Sequence, residues 1–164
     1  MSQVFLISDM HFGHANIIKY ENRPFTNVDE MDTTLISNWN TAVGKGDKVF
    51  ILGDVSFYNK EKTKSILEML NGNKILILGN HDKDRSSAWW RETGLDEVYQ
   101  YPIVYNDFYI LSHEPVYLSE NMPYVNIHGH THHLKYADKQ FFNVSVECIG
   151  YTPISFDKVK EQFI

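Results

Sequence analysis

A chain of 164 residues with 43% hydrophobic and 22% charged residues has enough apolar material for a buried core without staples, and it is expected to fold as one domain over 1–164. The single cysteine, Cys148, excludes an intramolecular disulfide and a thiolate zinc site, and is read as an inert small core residue at a strand end. A net charge of −6 disfavours non-specific nucleic-acid binding, and no apolar run approaches the roughly 18 residues of a membrane span. With no charged leader either, the expectation is a soluble cytoplasmic protein.

In chain order, Val4–Ile7 predicts a buried strand, followed within a few residues by Asp9, His11 and His14. A short helix is expected at 16–20, then a longer one capped by Thr26 or Asn27. In the latter, Met31, Leu35, Trp39 and Val43 share a face every fourth residue and belong to the core. The GKGD stretch breaks that pattern. KVFILGD is a second strand ending in Asp54, KEKTKSILEML an amphipathic helix, and KILILGNHD a third strand ending in polar groups. SSAWWRETG suits a helix. VYQYPIVY, FYILSHEP, YVNIHGHTH and KQFFNVSVE suit successive short strands, and ISFDKVKEQFI a closing helix with Phe156, Val159 and Phe163 inward. The expected fold is an α/β domain of mixed sheets covered by helices.

Five apolar strands thus end in groups able to hold a metal. In open α/β sheets ligands bind beyond the carboxyl ends of strands, so residues far apart in sequence can converge there. Asp9, His11, Asp54, Asn80, His113, His130 and His132 offer only oxygen and imidazole nitrogen, which suit Mn²⁺, Fe²⁺, Zn²⁺ or Ni²⁺. They are too many for one tetrahedral ion and suit two ions about 3.5–4 Å apart that share a carboxylate. Singly, a helix cap explains Asp9 and a turn explains Gly53-Asp54; the set of seven at strand ends has no such explanation.

The motifs Asp9-Met-His11, Gly53-Asp54, Gly79-Asn80-His81-Asp82, the lone His113, and Gly129-His130-Thr131-His132 occur in the order seen in calcineurin-like metallophosphoesterases. The chain resembles that superfamily over nearly its whole length, and HFGHANIIKYENRPF is similar to small stand-alone members from bacteria and phages. The resemblance implies a β-sandwich of mixed sheets with flanking helices. It also implies one metal held by Asp9, His11, Asp54 and His132, and a second held by Asp54, Asn80, His113 and His130, with Asp54 bridging. The implied cofactors are two divalent ions, Mn²⁺ before Fe, Zn or Ni. The implied activity is phosphodiesterase or phosphatase hydrolysis of small, nucleotide-like esters by a metal-bridging hydroxide, with His81 either protonating the leaving alkoxide or holding a phosphate oxygen, and its neighbour Asp82 expected to orient it.

Other residues near these motifs carry two readings each. His14 either contacts substrate or caps the following helix. Asn16 is read likewise. Arg23 either clamps a phosphate bidentately or forms a surface ion pair. His128 and His133 are expected outside the metal shell. One departure bears on substrate: the GDxxDRG motif of protein phosphatases is replaced by GDVSFYN, which disfavours a Ser/Thr protein phosphatase. Two alternatives stand beside the enzyme: a binding scaffold that has lost hydrolysis, and a nuclease, which no basic stripe with interleaved aromatics supports.

Overall fold

The computed structural model describes residues 1–163. Its first sheet is built from β1 (Val4–Ile7), β2 (Lys48–Ile51), β3 (Asn73–Ile77), β4 (Glu97–Tyr99) and β9 (Ile154–Ser155), in the order β4-β3-β2-β1-β9. The second contains β5 (Ile103–Tyr105), β6 (Tyr109–Leu111), β7 (Val125–His128) and β8 (Phe141–Asn143), in that order. Both sheets are mixed: β1 to β4 run parallel with β9 antiparallel to β1, and β6, β7 and β8 run parallel with β5 antiparallel to β6. The expected architecture of mixed sheets flanked by helices is what the chain adopts.

The helices are α1 (Ile17–Tyr20), α2 (Val28–Ala42), α3 (Lys60–Met69), α4 (Ser87–Arg91) and α5 (Phe156–Lys160), the last followed by a 3-10 turn at Glu161–Phe163. Asn27 caps α2 by accepting the Glu30 N–H at 2.9 Å, while Glu30 reaches back to the Thr26 N–H at 2.7 Å, a reciprocal box that satisfies otherwise orphaned donors. Asn59 caps α3 in the same way through Lys62 N–H.

The central strands are apolar without alternation because both of their faces are covered. Phe5, Ile7, Val49, Ile51 and Leu76 pack toward Met31, Leu35 and Trp39 of α2 and Ile66 and Leu67 of α3. The intervening Leu6, Phe50, Ile75 and Ile77 pack toward Leu111, Ile127, Val144 and Phe156 between the sheets. Trp39 is fully buried, and its indole N–H donates to Asn71 O at 2.9 Å, so its burial leaves no polar group unmet.

Two expectations about elements change. VYQYPIVY is two strands in different sheets, because Pro102 has no N–H to give a ladder and the chain crosses between the layers there. Cys148 is only partly buried, with its Sγ 3.0 Å from His132 O.

The register of β1 against β2, Leu6 with Phe50 and Ile7 with Ile51, sends both strands out of the sheet at the same edge. Pairing continues past the strands. Asp9 N–H donates to Gly53 O at 3.1 Å, His11 N–H to Asp54 O at 3.0 Å, and Phe12 N–H to Val55 O at 3.0 Å. The Asp9 and Asp54 loops therefore lie side by side.

Candidate metal centre

Five of the residues expected at the site hold left-handed backbone: Asp9 (φ 59°), His11 (54°), Asp54 (55°), His130 (67°) and His132 (48°). Such conformations cost free energy in non-glycine residues and persist where the surroundings over-determine them. Here they turn consecutive side chains out of the strand direction and into one space. Gly79 and Gly129 make the loops' close approach possible: a Cβ on Gly79 would collide with the Asp54 carboxylate, and one on Gly129 with Ser8 Oγ and Asp9.

Asp9 is fully buried, and its two oxygens differ. Oδ2 accepts from Ser8 Oγ at 2.6 Å, Ser145 Oγ at 2.9 Å and the His130 N–H at 2.8 Å. Oδ1 has no hydrogen-bond partner and lies 3.8 Å from His11 Nε2 and 3.9 Å from His132 Nε2. His11 Nε2 is likewise buried and without a hydrogen-bond partner. Two unsatisfied buried donor atoms aimed at each other's space are costly unless something occupies it, and a divalent cation fits the donor chemistry.

Asp54 stands between two groups. Its Oδ1 accepts the His81 N–H at 3.1 Å, and its Oδ2 lies 3.4 Å from both His11 Nε2 and His113 Nε2. Beyond His113, Asn80 Oδ1 is 2.8 Å from His113 Nε2 and 3.0 Å from His130 Nδ1. His113 Nδ1 is 2.7 Å from the carbonyl of Leu52, which fixes a proton there and, in the neutral ring that a metal requires, leaves the lone pair on Nε2. All seven residues expected as ligands meet in one cluster. Donor groups able to hold an ion include Asp9, His11 and His132, and Asp9, Asp54 and His113.

Electrostatics reflect the crowding of acids and imidazoles. Burial opposes ionisation of Asp9, but the neighbouring imidazoles of His11, His113 and His132 win and hold it at about 2. Asp54 is held well below the carboxylate range, burial being outweighed by His11 and His113. Conversely, His113 is desolvated yet pushed up to about 9 by Asp54 and Asp9, and His11 is raised by the same two carboxylates.

The rim is aromatic. His14 Nδ1 is 3.2 Å from His11 Nδ1, and its ring stacks on exposed Phe57 with centroids 4.2 Å apart. Phe57 lies 5.3 Å from His11 and 5.2 Å from exposed His81, and Tyr20 closes the same side at 6.2 Å from His14. Partial burial and the neighbouring His11 and His81 lower His14 to about 4.

Two expected roles do not survive the geometry. Arg23 is neither a phosphate clamp nor on the surface: it is 4% exposed, and its guanidinium donates to Asp9 O at 2.7 Å, Met10 O at 3.0 Å and Glu147 at 2.7 Å. Asp82 does not orient His81. Its buried carboxylate accepts the N–H groups of Asp54 at 2.7 Å, Val55 at 3.0 Å and Gly79 at 2.8 Å, so it bolts two site loops together. Burial and the nearby Asp54 raise its pKa. His128 is fully buried, with Nδ1 on Gly129 O, and His133 is exposed beside Glu21. Phe57 and Glu147 were not foreseen: Phe57 falls within GDVSFYN, whose aromatic residue carries no motif, and Glu147 within a run read only as a strand.

Residues 2–159 match the calcineurin-like phosphoesterase family. The chain belongs to that family. An uncharacterized protein of Methanocaldococcus jannaschii is 43% identical to this phosphoesterase-family chain, with 97% of this chain and 90% of that protein covered. The Gene 66 proteins of Mycobacterium phages L5 and D29 are 41% and 42% identical over 50% and 51% of this chain, which spans 41% and 42% of their lengths. Among solved structures, a protein of unknown function from Aquifex aeolicus matches with a TM-score of 0.78 at 26% identity, over 98% of this chain and 99% of that one. Family membership points to a metal-dependent hydrolase of phosphate esters, and the candidate ligand groups fit divalent metal. Among the described residues no helix is long and apolar enough to cross a membrane.

Proposed function

We propose that this chain is a dinuclear metal-dependent phosphoesterase acting on small, nucleotide-like phosphate esters as a phosphodiesterase or phosphatase. The observation that carries it is Asp54 Oδ2, 3.4 Å from an imidazole nitrogen on either side. One carboxylate oxygen placed between two donor groups suits two ions better than one. Asp9, His11, Asp54 and His132 would hold the first ion. Asp54, Asn80, His113 and His130 would hold the second. The mixed oxygen and imidazole donors suit Mn²⁺, Fe²⁺, Zn²⁺ or Ni²⁺, and the family resemblance puts Mn²⁺ first.

Divalent ions held there supply Lewis-acid stabilisation of phosphoryl oxygens and activate the attacking water. The chain's own residues do the rest. His81 is exposed and tied at its backbone to Asp54, which supports a role in giving a proton to the departing oxygen. With Asp82 engaged elsewhere, it works without an orienting carboxylate from that neighbour. His14, Phe57 and Tyr20 form an aromatic side wall that suits a leaving group with a planar ring, which supports the nucleotide-like class. The net charge of −6 favours a small substrate over nucleic acid.

The test is hydrolysis of bis-p-nitrophenyl phosphate against p-nitrophenyl phosphate by protein loaded with Mn²⁺, Ni²⁺ or Zn²⁺. Turnover of at least one is expected, and no turnover with any metal counts against an enzyme. His81→Ala should keep its metal content and lose about 10²–10⁴-fold in turnover. Equal activity in that variant would remove the proton-donor role.

A further inference from the structure

Glu147 is the residue around which the first donor group is arranged from behind. Its side chain is 5% exposed. Oε1 accepts from Arg23 Nε at 2.8 Å and Nη2 at 2.7 Å, and lies 3.1 Å from His132 Nδ1. The same guanidinium donates to the carbonyls of Asp9 and Met10. One planar fork thus joins the loop after β1 to the carboxylate that faces His132, over sequence separations of 14 and 124 residues. Glu147 Oε2 is buried with no hydrogen-bond partner among the described residues, and Oε1 faces both Arg23 and His132.

A buried ion pair of this kind is weak as a source of stability, since desolvation offsets much of the attraction. Its geometric effect is definite. A carboxylate on Nδ1 places the imidazole proton there and leaves the lone pair on Nε2, the atom facing Asp9 Oδ1. Asp9 (φ 59°) and His132 (φ 48°) are both in left-handed backbone that must be held from outside. Arg23 holds the first through its carbonyl, and Glu147 holds the second through its ring.

We propose that Glu147 and Arg23 are positioning residues: Glu147 fixes the tautomer and orientation of His132, and Arg23 locks that carboxylate to the Asp9 turn. The proposal rests on the reading of His132 as a ligand of the first ion.

Zn²⁺ binding measured by competition with a chelating indicator, with the ¹⁵N shifts of the His132 ring in the Zn²⁺-loaded protein, tests it. Glu147→Ala is expected to weaken one of two Zn²⁺ sites roughly 10–100-fold and to lose the fixed Nδ1–H tautomer. Glu147→Gln, whose amide oxygen still accepts a hydrogen bond without the charge, should fall between the alanine variant and wild type. Adding Glu147→Ala to His132→Ala should weaken binding no further than His132→Ala alone, because the two act through one ring. Wild-type Zn²⁺ affinity and tautomer in Glu147→Ala would overturn the proposal, as would a full additive loss in the double variant. Should Glu147→Ala not fold, Glu147→Gln decides: weakened binding at one site supports positioning, and wild-type binding overturns it. If His132→Ala itself leaves both sites at wild-type affinity, the ligand reading fails first and takes this inference with it.

Discussion

The two halves of the donor cluster are built differently. Asp9 and His11 are 0% and 1% exposed, and they keep buried donor atoms with no hydrogen-bond partner. Asn80 and His130 are exposed, and their donor atoms meet each other and His113 at 2.8 to 3.2 Å. The donor atoms of the open half satisfy one another, whereas the buried half leaves polar atoms unmet. The free energy of binding at the buried half therefore includes relief of that desolvation, and the open half must surrender existing hydrogen bonds. We expect the buried half to keep its ion through chelation that empties the open one.

The largest loss is expected from changing Asp54, whose Oδ2 lies between the two donor groups. Asp54→Asn should lower metal content in both halves and turnover by roughly 10³-fold. Retention of two ions at wild-type affinity would show that Asp54 does not bridge.

Next come the halves separately. His130→Ala should weaken one ion roughly 10–100-fold while moving metal-free stability by no more than about 0.5 kcal/mol, as for an exposed position. His11→Ala should also cost metal-free stability, because it takes a compensating imidazole from two buried carboxylates. Chemical denaturation beside metal titration checks both, and identical behaviour of the two variants would erase the distinction.

Phe57→Leu should act more gently. We expect KM for an aryl phosphate ester to rise roughly 2–10-fold relative to an alkyl ester, the scale of one aromatic contact. An equal change for both esters would show that the wall packs the loop and does not select the ring.

The smallest signal concerns protons. His113 is raised from 6.5 to about 9, so in the metal-free protein its contribution to stability is fully present below pH 6.5 and lost as pH rises through about 9. Binding a metal needs the neutral ring, so loading at roughly pH 7.5 should release about one proton from His113. Calorimetry in two buffers of different ionisation enthalpy reads it, and a buffer-independent heat would refute it.

The family, the mixed α/β architecture and the seven convergent donor residues were legible in the sequence, since strand ends and their polar stops are local features that repeat. VYQYPIVY reads as one strand, and its division at Pro102 between two sheets depends on packing that no local pattern shows. The roles of Arg23 and Asp82 were not legible. An arginine beside a proline and an acid beside a histidine look the same whether they face solvent, substrate or backbone.

Residue type sets which donor atoms the chain carries, and apolar periodicity sets which strands lie inside. The direction in which each polar group points comes from packing. Burial and backbone turns put Asp9 Oδ1 toward the site and Oδ2 toward two serines, turned Asp82 onto three amides, and brought Glu147 behind His132 from 15 residues away. Those directions depend on long-range packing, and no local pattern carries them.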